Sequence, residues 1–223
     1  MKTLVLAPHP DDELLGCGGT LLKKYSKGQT IGWILVTDIK EESGWSREMV
    51  YERHIEIESV RNSLGIKKEN FFSLGFPTTE LDVIPLKDII LKVSSAIKQF
   101  QPEELLLPHP GDVHSDHSIS FQAAHACTKS FRYSFLKRVL TYETLSETEF
   151  GIDPRYNVFN PNLFIDISKE LEKKVDLLKI YKSEMGQFPF PRSIEAIVSK
   201  AKMRGIEMGV KAAEAFTILK QYE

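Results

Sequence analysis

The stretch that decides the fold is Thr3-Leu-Val-Leu-Ala-Pro-His-Pro-Asp-Asp-Glu13, near the start of a chain of 223 residues. Its first part, residues 3–7, is a short apolar run of the kind that forms a buried strand. Its second part places one histidine and three acids directly after that strand. In α/β proteins, ligands bind outside the carboxyl ends of parallel strands. The stretch therefore predicts a first strand and a candidate site at its end.

Short apolar runs alternate with segments of helical periodicity along the rest of the chain. Helical segments precede Gly28, Gly65 and Pro102, residues that commonly follow a helix end. The predicted strands are residues 3–7, 31–37, 70–74, 104–107, 138–142 and 163–167. This alternation predicts a Rossmann-like, three-layer α/β sandwich with a mostly parallel sheet and helices on both faces. At this length we expect one domain over residues 1–223, with the active site at the carboxyl ends of the strands.

Charge and composition favour a small-molecule partner. Lys and Arg number 29 against 31 Asp and Glu, giving a formal net charge of -2, and no basic stripe favours nucleic acid. No apolar stretch is long enough to span a bilayer, and residues 4–7 are too short for a signal peptide. Cys17 and Cys127 are interpreted as free thiols in a reducing compartment. We expect a cytoplasmic protein and leave its oligomeric state open, with a homo-oligomer as one option.

The acids of the first stretch favour a metal site. Adjacent carboxylates at one strand end repel unless a positive charge compensates them, and a divalent metal ion would do so. His9 and Asp12 are three residues apart at a strand-to-helix turn, so both side chains can converge on one ion. Asp11 would then reach the metal's water. The alternative is a helix N-terminus capped by acids, which explains one or two of them but not His9.

A second polar cluster follows the strand predicted at residues 104–107. His114 and His117 share a face if the segment enters a helix. A catalytic zinc site uses three protein ligands and one water, so one of these histidines would complete the set. The other is left for catalysis, with Asp116 placed to orient it. A pair of surface or core histidines is the alternative for this cluster taken alone.

Further residues are open to two interpretations each. Asp112 would brace the His114 segment or bind substrate, and His109 would shape the loop or touch substrate. Trp45 lies in the loop after the second strand, which is a surface loop or a lid. Residues 188–191, Phe-Pro-Phe-Pro, form a rigid connector, or else a pocket rim or subunit contact.

The two clusters resemble the LmbE-like, or PIG-L, family of de-N-acetylases. Residues 7–13, Ala-Pro-His-Pro-Asp-Asp-Glu, match the family's N-terminal signature, and residues 114–117, His-Ser-Asp-His, match its later histidine element. Residues 38–44 and 75–80 depart from the loops usual in the family, and both should border the substrate. The departures leave the identity of the sugar open.

The resemblance implies roles for individual residues. The implied zinc ligands are His9, Asp12 and His117, and Fe²⁺ would accept the same set. Asp11 would be the general base, and His114 the electrophilic partner, oriented by Asp116. Arg53 matches a position implicated in substrate binding, although an ion pair with Glu56 is an equal alternative. Whether Asp11 or His114 protonates the leaving amine stays open.

The implied function is removal of the acetyl group from an N-acetylated amino sugar by a metal-dependent hydrolase. The sugar would be a glycoside, a nucleotide sugar or a lipid-linked sugar. The alternatives are an amidase that cleaves a larger acyl group or thiol conjugate, and a non-catalytic binding protein. A dinucleotide-binding domain is disfavoured, because residues 16–19, Gly-Cys-Gly-Gly, lack the GxGxxG spacing. Close packing of a helix on the sheet explains these glycines better.

Overall fold

The computed structural model describes residues 1–151 and 158–222. The strands are β1 (Lys2–Ala7), β2 (Thr30–Asp38), β3 (Phe71–Pro77), β4 (Glu104–Pro108), β5 (Arg138–Tyr142), β6 (Leu163–Asp166) and β7 (Ala213–Gln221). The helices are α1 (Asp12–Ser26), α2 (Arg47–Ser63), α3 (Leu86–Phe100), α4 (Ser115–His125), α5 (Leu171–Leu178) and α6 (Ile194–Met208). Within the described ranges, no helix is long and apolar enough to cross a membrane.

The strands form one sheet in the order β3-β2-β1-β4-β5-β7-β6. Strands β1 to β5 pair in parallel, and β7 pairs antiparallel with both β5 and β6. Strands β1 and β4 are neighbours, with Thr3 opposite Glu104 and Val5 opposite Leu106. The direction of winding reverses between them, so the chain segments that follow their carboxyl ends border the crevice where such sheets bind ligands.

Alternate residues of β1 pack into two separate cores. Val5 and Ala7 belong to a cluster with apolar residues of α1, α2 and α5, whereas Leu4 and Leu6 belong to a cluster with α3 and α4. A parallel sheet buried on both faces is expected to show this arrangement. The predicted three-layer α/β fold with a mostly parallel sheet is confirmed.

Most element boundaries match the sequence-based expectation. Helices α1 and α2 end shortly before Gly28 and Gly65, which have φ values of 72° and 69°. Helix α3 ends at Phe100, and its C-cap residue Gln101 takes a left-handed conformation before Pro102. Strand β7 was not predicted. Its first half includes Glu214 and its second half is only partly buried, so it lacks the continuous apolar run that marked the central strands.

The glycines near the start of α1 allow that helix to lie close to the sheet. A Cβ atom added to Gly16 would lie 2.1 Å from Cδ2 of Tyr142. The Tyr142 ring is fully buried, and its hydroxyl donates a 2.8 Å hydrogen bond to the carbonyl oxygen of Leu6. The ring therefore cannot move aside without breaking that bond. Close packing, rather than nucleotide binding, accounts for Gly16.

We predict that Gly16→Ala lowers the free energy of unfolding by about 2 kcal/mol through overpacking against Tyr142. Gly18→Ala is the matched control, because its Cβ would meet only the side chains of Leu14 and Lys174, at 3.2 and 3.4 Å. The control should change stability by less than about 1 kcal/mol. Urea titrations of both variants measure the difference. Equal stability of the Gly16→Ala variant and the unsubstituted protein would refute this account.

Candidate metal centre and active site

The turn from β1 into α1 places three acids in a small buried space. Asp11 has a φ of 123°, a left-handed backbone conformation that residues other than glycine rarely adopt. Its backbone N–H donates to Glu13 Oε2 at 3.1 Å, and its carbonyl oxygen accepts from the amides of Leu14 and Leu15 at 2.9 and 2.8 Å. The backbone of Asp11 is thus held at both its amide and its carbonyl by the first turn of α1.

The side chains of His9, Asp12 and His117 converge on one point. Oδ2 of Asp12 lies 3.5 Å from His9 Nδ1 and 3.3 Å from His117 Nε2. Burial opposes ionisation of Asp12, but the two histidines outweigh it and lower the pKa of that carboxyl well below its usual range. Burial also disfavours charge on His9, yet hydrogen bonds to Asp116 and Asp12 raise its pKa to about 9. The position between these side chains therefore favours positive charge, which a divalent cation would supply.

His117 has the features of a metal ligand with a supporting carboxylate. Its Nδ1 lies 2.8 Å from Asp112 Oδ2, and Thr148 Oγ1 donates to the other oxygen of Asp112 at 2.6 Å. Its Nε2 is buried and has no hydrogen-bond partner among the described residues. A carboxylate that holds one imidazole nitrogen commonly orients the other towards a metal. The orphaned Nε2 beside Asp12 fits a bound cation.

His9, Asp12 and His117 could hold a divalent ion, since one ligand atom from each lies within 4.8 Å of the others. His9, Asp116 and His114 meet the same criterion. The second group fits less well, because the Asp116 carboxylate already accepts from the amides of Thr79 and Leu81 at 2.7 and 3.2 Å. The first group offers two imidazoles and one carboxylate, a donor set suited to Zn²⁺ or Fe²⁺.

His114 is the N-cap residue of α4. Its Nδ1 accepts a 3.1 Å hydrogen bond from the backbone N–H of Asp116. Burial and the neighbouring His9 lower the pKa of His114 to about 4. A neutral imidazole whose Nδ1 accepts must carry its proton on Nε2. His114 therefore offers an N–H donor at neutral pH.

The roles expected for Asp116 and Asp112 need correction. The carboxylate of Asp116 does not orient His114; it lies 3.0 Å from Nε2 of His9 and accepts from backbone amides, and only its backbone N–H contacts His114. The side chain of Asp112 has no exposed surface and does not line the cavity; it braces His117 instead. The side chain of Asp116 points across to the loop after β3, a direction that the sequence spacing alone does not reveal.

Arg192 is a site residue that sequence reasoning missed. Its Nη1 lies 3.1 Å from Oδ2 of Asp11 and 3.4 Å from Oε2 of Glu184. Burial and the Asp12 carboxylate raise the pKa of Asp11 to about 8, although Arg192 acts in the opposite direction. The one sequence signal for it is the rigid run at residues 188–191, for which a pocket rim is one interpretation and which directly precedes Arg192.

A cavity of about 610 Å³ opens above these groups. Its walls include Arg53, whose guanidinium donates to Ser183 Oγ at 2.8 Å, pairs with Glu184, and lies 3.3 Å from Glu56. Arg53 therefore lines the cavity and also forms the ion pair with Glu56, and its role in substrate binding stays a prediction. Further lining residues are His9, Asp11, Asp12, Trp45, Met49, Thr78, Thr79, His114, Glu147 and Arg192. His109 is buried with its ring edge-on to Phe159, away from this wall.

A family profile described as PIG-L, GlcNAc-PI de-N-acetylase, matches residues 4–128, which is more than half of the chain. The chain belongs to the PIG-L family. By family the protein is a deacetylase. The matched region includes Asp11, His114 and the three candidate ligands, whereas Glu184 and Arg192 lie outside it.

Relatives of this PIG-L protein include named deacetylases. It is 27% identical over 201 residues to diacetylchitobiose deacetylase of Thermococcus kodakarensis, covering 84% of this chain and 70% of that protein. A solved structure of a conserved protein from Thermus thermophilus is 28% identical, with a TM-score of 0.75 over 99% of this chain and 96% of that one. N,N'-diacetylchitobiose deacetylase from Pyrococcus horikoshii has the same fold, with a TM-score of 0.77, 22% identity, and coverage of 98% and 84%.

We predict that His117→Ala abolishes tight zinc binding and that Asp112→Asn weakens it about 10- to 100-fold, because the imidazole loses its orienting carboxylate. His125→Ala is the control, since this histidine of α4 stacks on Phe121 instead. Competition titrations against a chromophoric chelator measure all three variants. Unchanged affinity in the Asp112→Asn variant would show that Asp112 does not support a metal ligand.

Proposed function

We propose that this PIG-L protein is a metal-dependent hydrolase that removes the acetyl group from an N-acetylated amino sugar, giving acetate and a free amine. The observation that carries the proposal is the position of Asp11. Its carboxylate lines the cavity directly beside the buried cluster of His9, Asp12 and His117. Membership of a de-N-acetylase family and the relatives named for diacetylchitobiose support the choice of substrate.

A bound Zn²⁺ or Fe²⁺ would supply a Lewis acid for the amide carbonyl and would acidify a water molecule. Asp11 acts as the general base and accepts the proton of the attacking water. A bound cation would lower the raised pKa of Asp11, so that the carboxylate is ionised when the water attacks, and burial helps the carboxyl hold the proton until the amine leaves. Asp11 is therefore suited to both proton transfers.

His114 acts as a hydrogen-bond donor to the substrate. Its Nε2–H would hold the carbonyl oxygen as negative charge develops there. Because the pKa of His114 is lowered to about 4, the imidazole is neutral at pH 7 and carries no extra proton for the leaving amine. A nearby cation would lower that pKa further. We therefore assign the final protonation of the amine to Asp11 and not to His114.

The cavity suits a polar substrate larger than an acetamide group. Its volume of about 610 Å³ lies within the range of small-molecule sites. Trp45 is exposed at its wall and offers a flat apolar surface, while Thr78 and Glu147 offer hydrogen-bonding groups. This combination fits the mixed apolar and hydroxylated faces of a sugar. The same volume also admits an acyl group longer than acetyl, which keeps the larger-acyl amidase as the second candidate.

We predict acetate release from at least one N-acetylated amino sugar when the zinc-loaded protein is tested against a panel of monosaccharides, glycosides and nucleotide sugars. Asp11→Asn should lower kcat by about 10²- to 10⁴-fold, because the general base is lost. Its zinc content should not change, since Asp11 is outside the ligand set. Enzymatic acetate detection and metal analysis provide the two readouts.

The matched control for this experiment is Asp166→Asn, which removes a carboxylate hydrogen-bonded to Ser168 and outside the cavity lining. It should retain full activity. Loss of zinc from the Asp11→Asn variant would make Asp11 a ligand. The larger-acyl amidase would be supported by another outcome. In that case the protein binds zinc and cleaves the matching N-butyryl compounds, but releases acetate from no sugar of the panel.

A further inference from the structure

We propose that Arg192 positions the carboxylate of Asp11 for proton transfer, an inference that rests on the proposed function of Asp11 as general base. The guanidinium Nη1 of Arg192 lies 3.1 Å from Asp11 Oδ2. The Asp11 side chain is only 3% exposed, so solvent offers it few alternative partners. Within residues 1–151 and 158–222, this is the one ion pair that Asp11 makes.

The backbone contacts of Asp11 leave the orientation of its carboxylate undetermined. Glu13 holds the amide of Asp11, and α1 holds its carbonyl, but neither contact involves the side-chain oxygens. Asp12 lies next to it in the chain, and its negative charge repels the Asp11 carboxylate. A general base must lie within hydrogen-bond reach of the proton it accepts. The contact with Arg192 supplies the missing constraint, because it fixes one oxygen and leaves the other for the attacking water.

Arg192 is itself anchored on several sides. Its Nη1 also lies 3.4 Å from Oε2 of Glu184, and Glu184 pairs in turn with Arg53 of α2. The guanidinium lies over the ring of Phe190, 5.6 Å from the ring centroid. Ser193, the next residue, caps α6 by accepting from the amide of Ala196 at 3.1 Å. The side chain thus projects from an ordered helix start, and its charge is shared by Asp11 and Glu184.

Substrate binding by Arg192 is the competing role. The residue lines the cavity, and its Nε is buried without a hydrogen-bond partner among the described residues. The two roles differ in their kinetic effect. Loss of a substrate contact made equally in the ground state and the transition state raises KM, whereas misplacement of the base lowers kcat.

The test compares Arg192→Met and Arg192→Lys with the control Arg204→Met. Arg204 is a matched residue, because its side chain is 19% exposed against 24% for Arg192, and it also pairs with two carboxylates, Glu143 and Glu207. Arg204 does not line the cavity. On the substrate identified by acetate release, Arg192→Met should lower kcat about 10- to 100-fold. KM should change less than about threefold, zinc content should stay unchanged, and Arg192→Lys should recover part of the loss.

A double variant isolates the path through Asp11. If Arg192 acts by placing that carboxylate, Arg192→Met should cause no further loss of kcat in an Asp11→Asn background. An additional loss equal to that in the unsubstituted protein would overturn the proposal. So would a raised KM with unchanged kcat, full activity of Arg192→Met, or an equal loss in Arg204→Met.

Crystal structures of the zinc-loaded protein and of Arg192→Met provide a readout that needs no substrate. We expect the Asp11 carboxylate to hold one position in the unsubstituted protein and to shift or occupy two positions in the variant. An unmoved Asp11 would overturn the positioning role even if no substrate were found. The protein could also prove inactive on every sugar while Asp11 is displaced in the variant. That result would count against the proposed function and not against the contact between Arg192 and Asp11.

Discussion

The site depends on three consecutive acids that are buried at the end of β1. Each acid needs a charge partner or hydrogen-bond donor, and groups of the surrounding elements supply it. Asp12 is ionised and lies against two histidines, which lower its pKa. Burial raises the pKa of Glu13 well above its usual value, and its oxygens accept from the Asp11 amide and the Tyr181 hydroxyl. Asp11 lines the cavity and has one basic partner among the described residues, Arg192. Three consecutive acids thus provide a candidate metal ligand, a structural support and the proposed base.

The central part of the fold was predictable, because its signal is local. Residues 3–7 and 104–107 are apolar on both faces, as strands covered by two helical layers must be. The antiparallel pairing of β7 was not predictable. This strand is half exposed, and it pairs with β5 through contacts between residues about 80 positions apart in the chain. A periodicity argument gives no information about such pairing.

The candidate ligands could be anticipated because their residue types and their place at strand ends both point to a metal. The contacts that hold these ligands in place could not be anticipated from the sequence. Asp112 and Asp116 are both acids near a histidine in sequence, yet one holds His117 and the other holds His9 from the opposite cluster. Arg192 is 181 residues from Asp11 in the chain and has no motif around it. These roles depend on the directions of side chains and on contacts between residues far apart in the chain. The spacing of residues in the sequence gives neither.

The left-handed backbone of Asp11 affects which residues are expected at this position in descendants of the protein. A non-glycine residue in that conformation costs about 1 to 3 kcal/mol, and glycine would relieve much of it. Selection for stability alone would therefore favour glycine in place of Asp11, because glycine adopts this conformation without strain. His114 is under no such pressure, because it also caps α4 and would be retained in an inactive descendant. Retention of the strained aspartate is thus the better marker of continued catalysis, and its replacement by glycine would be an early sign that turnover had been lost.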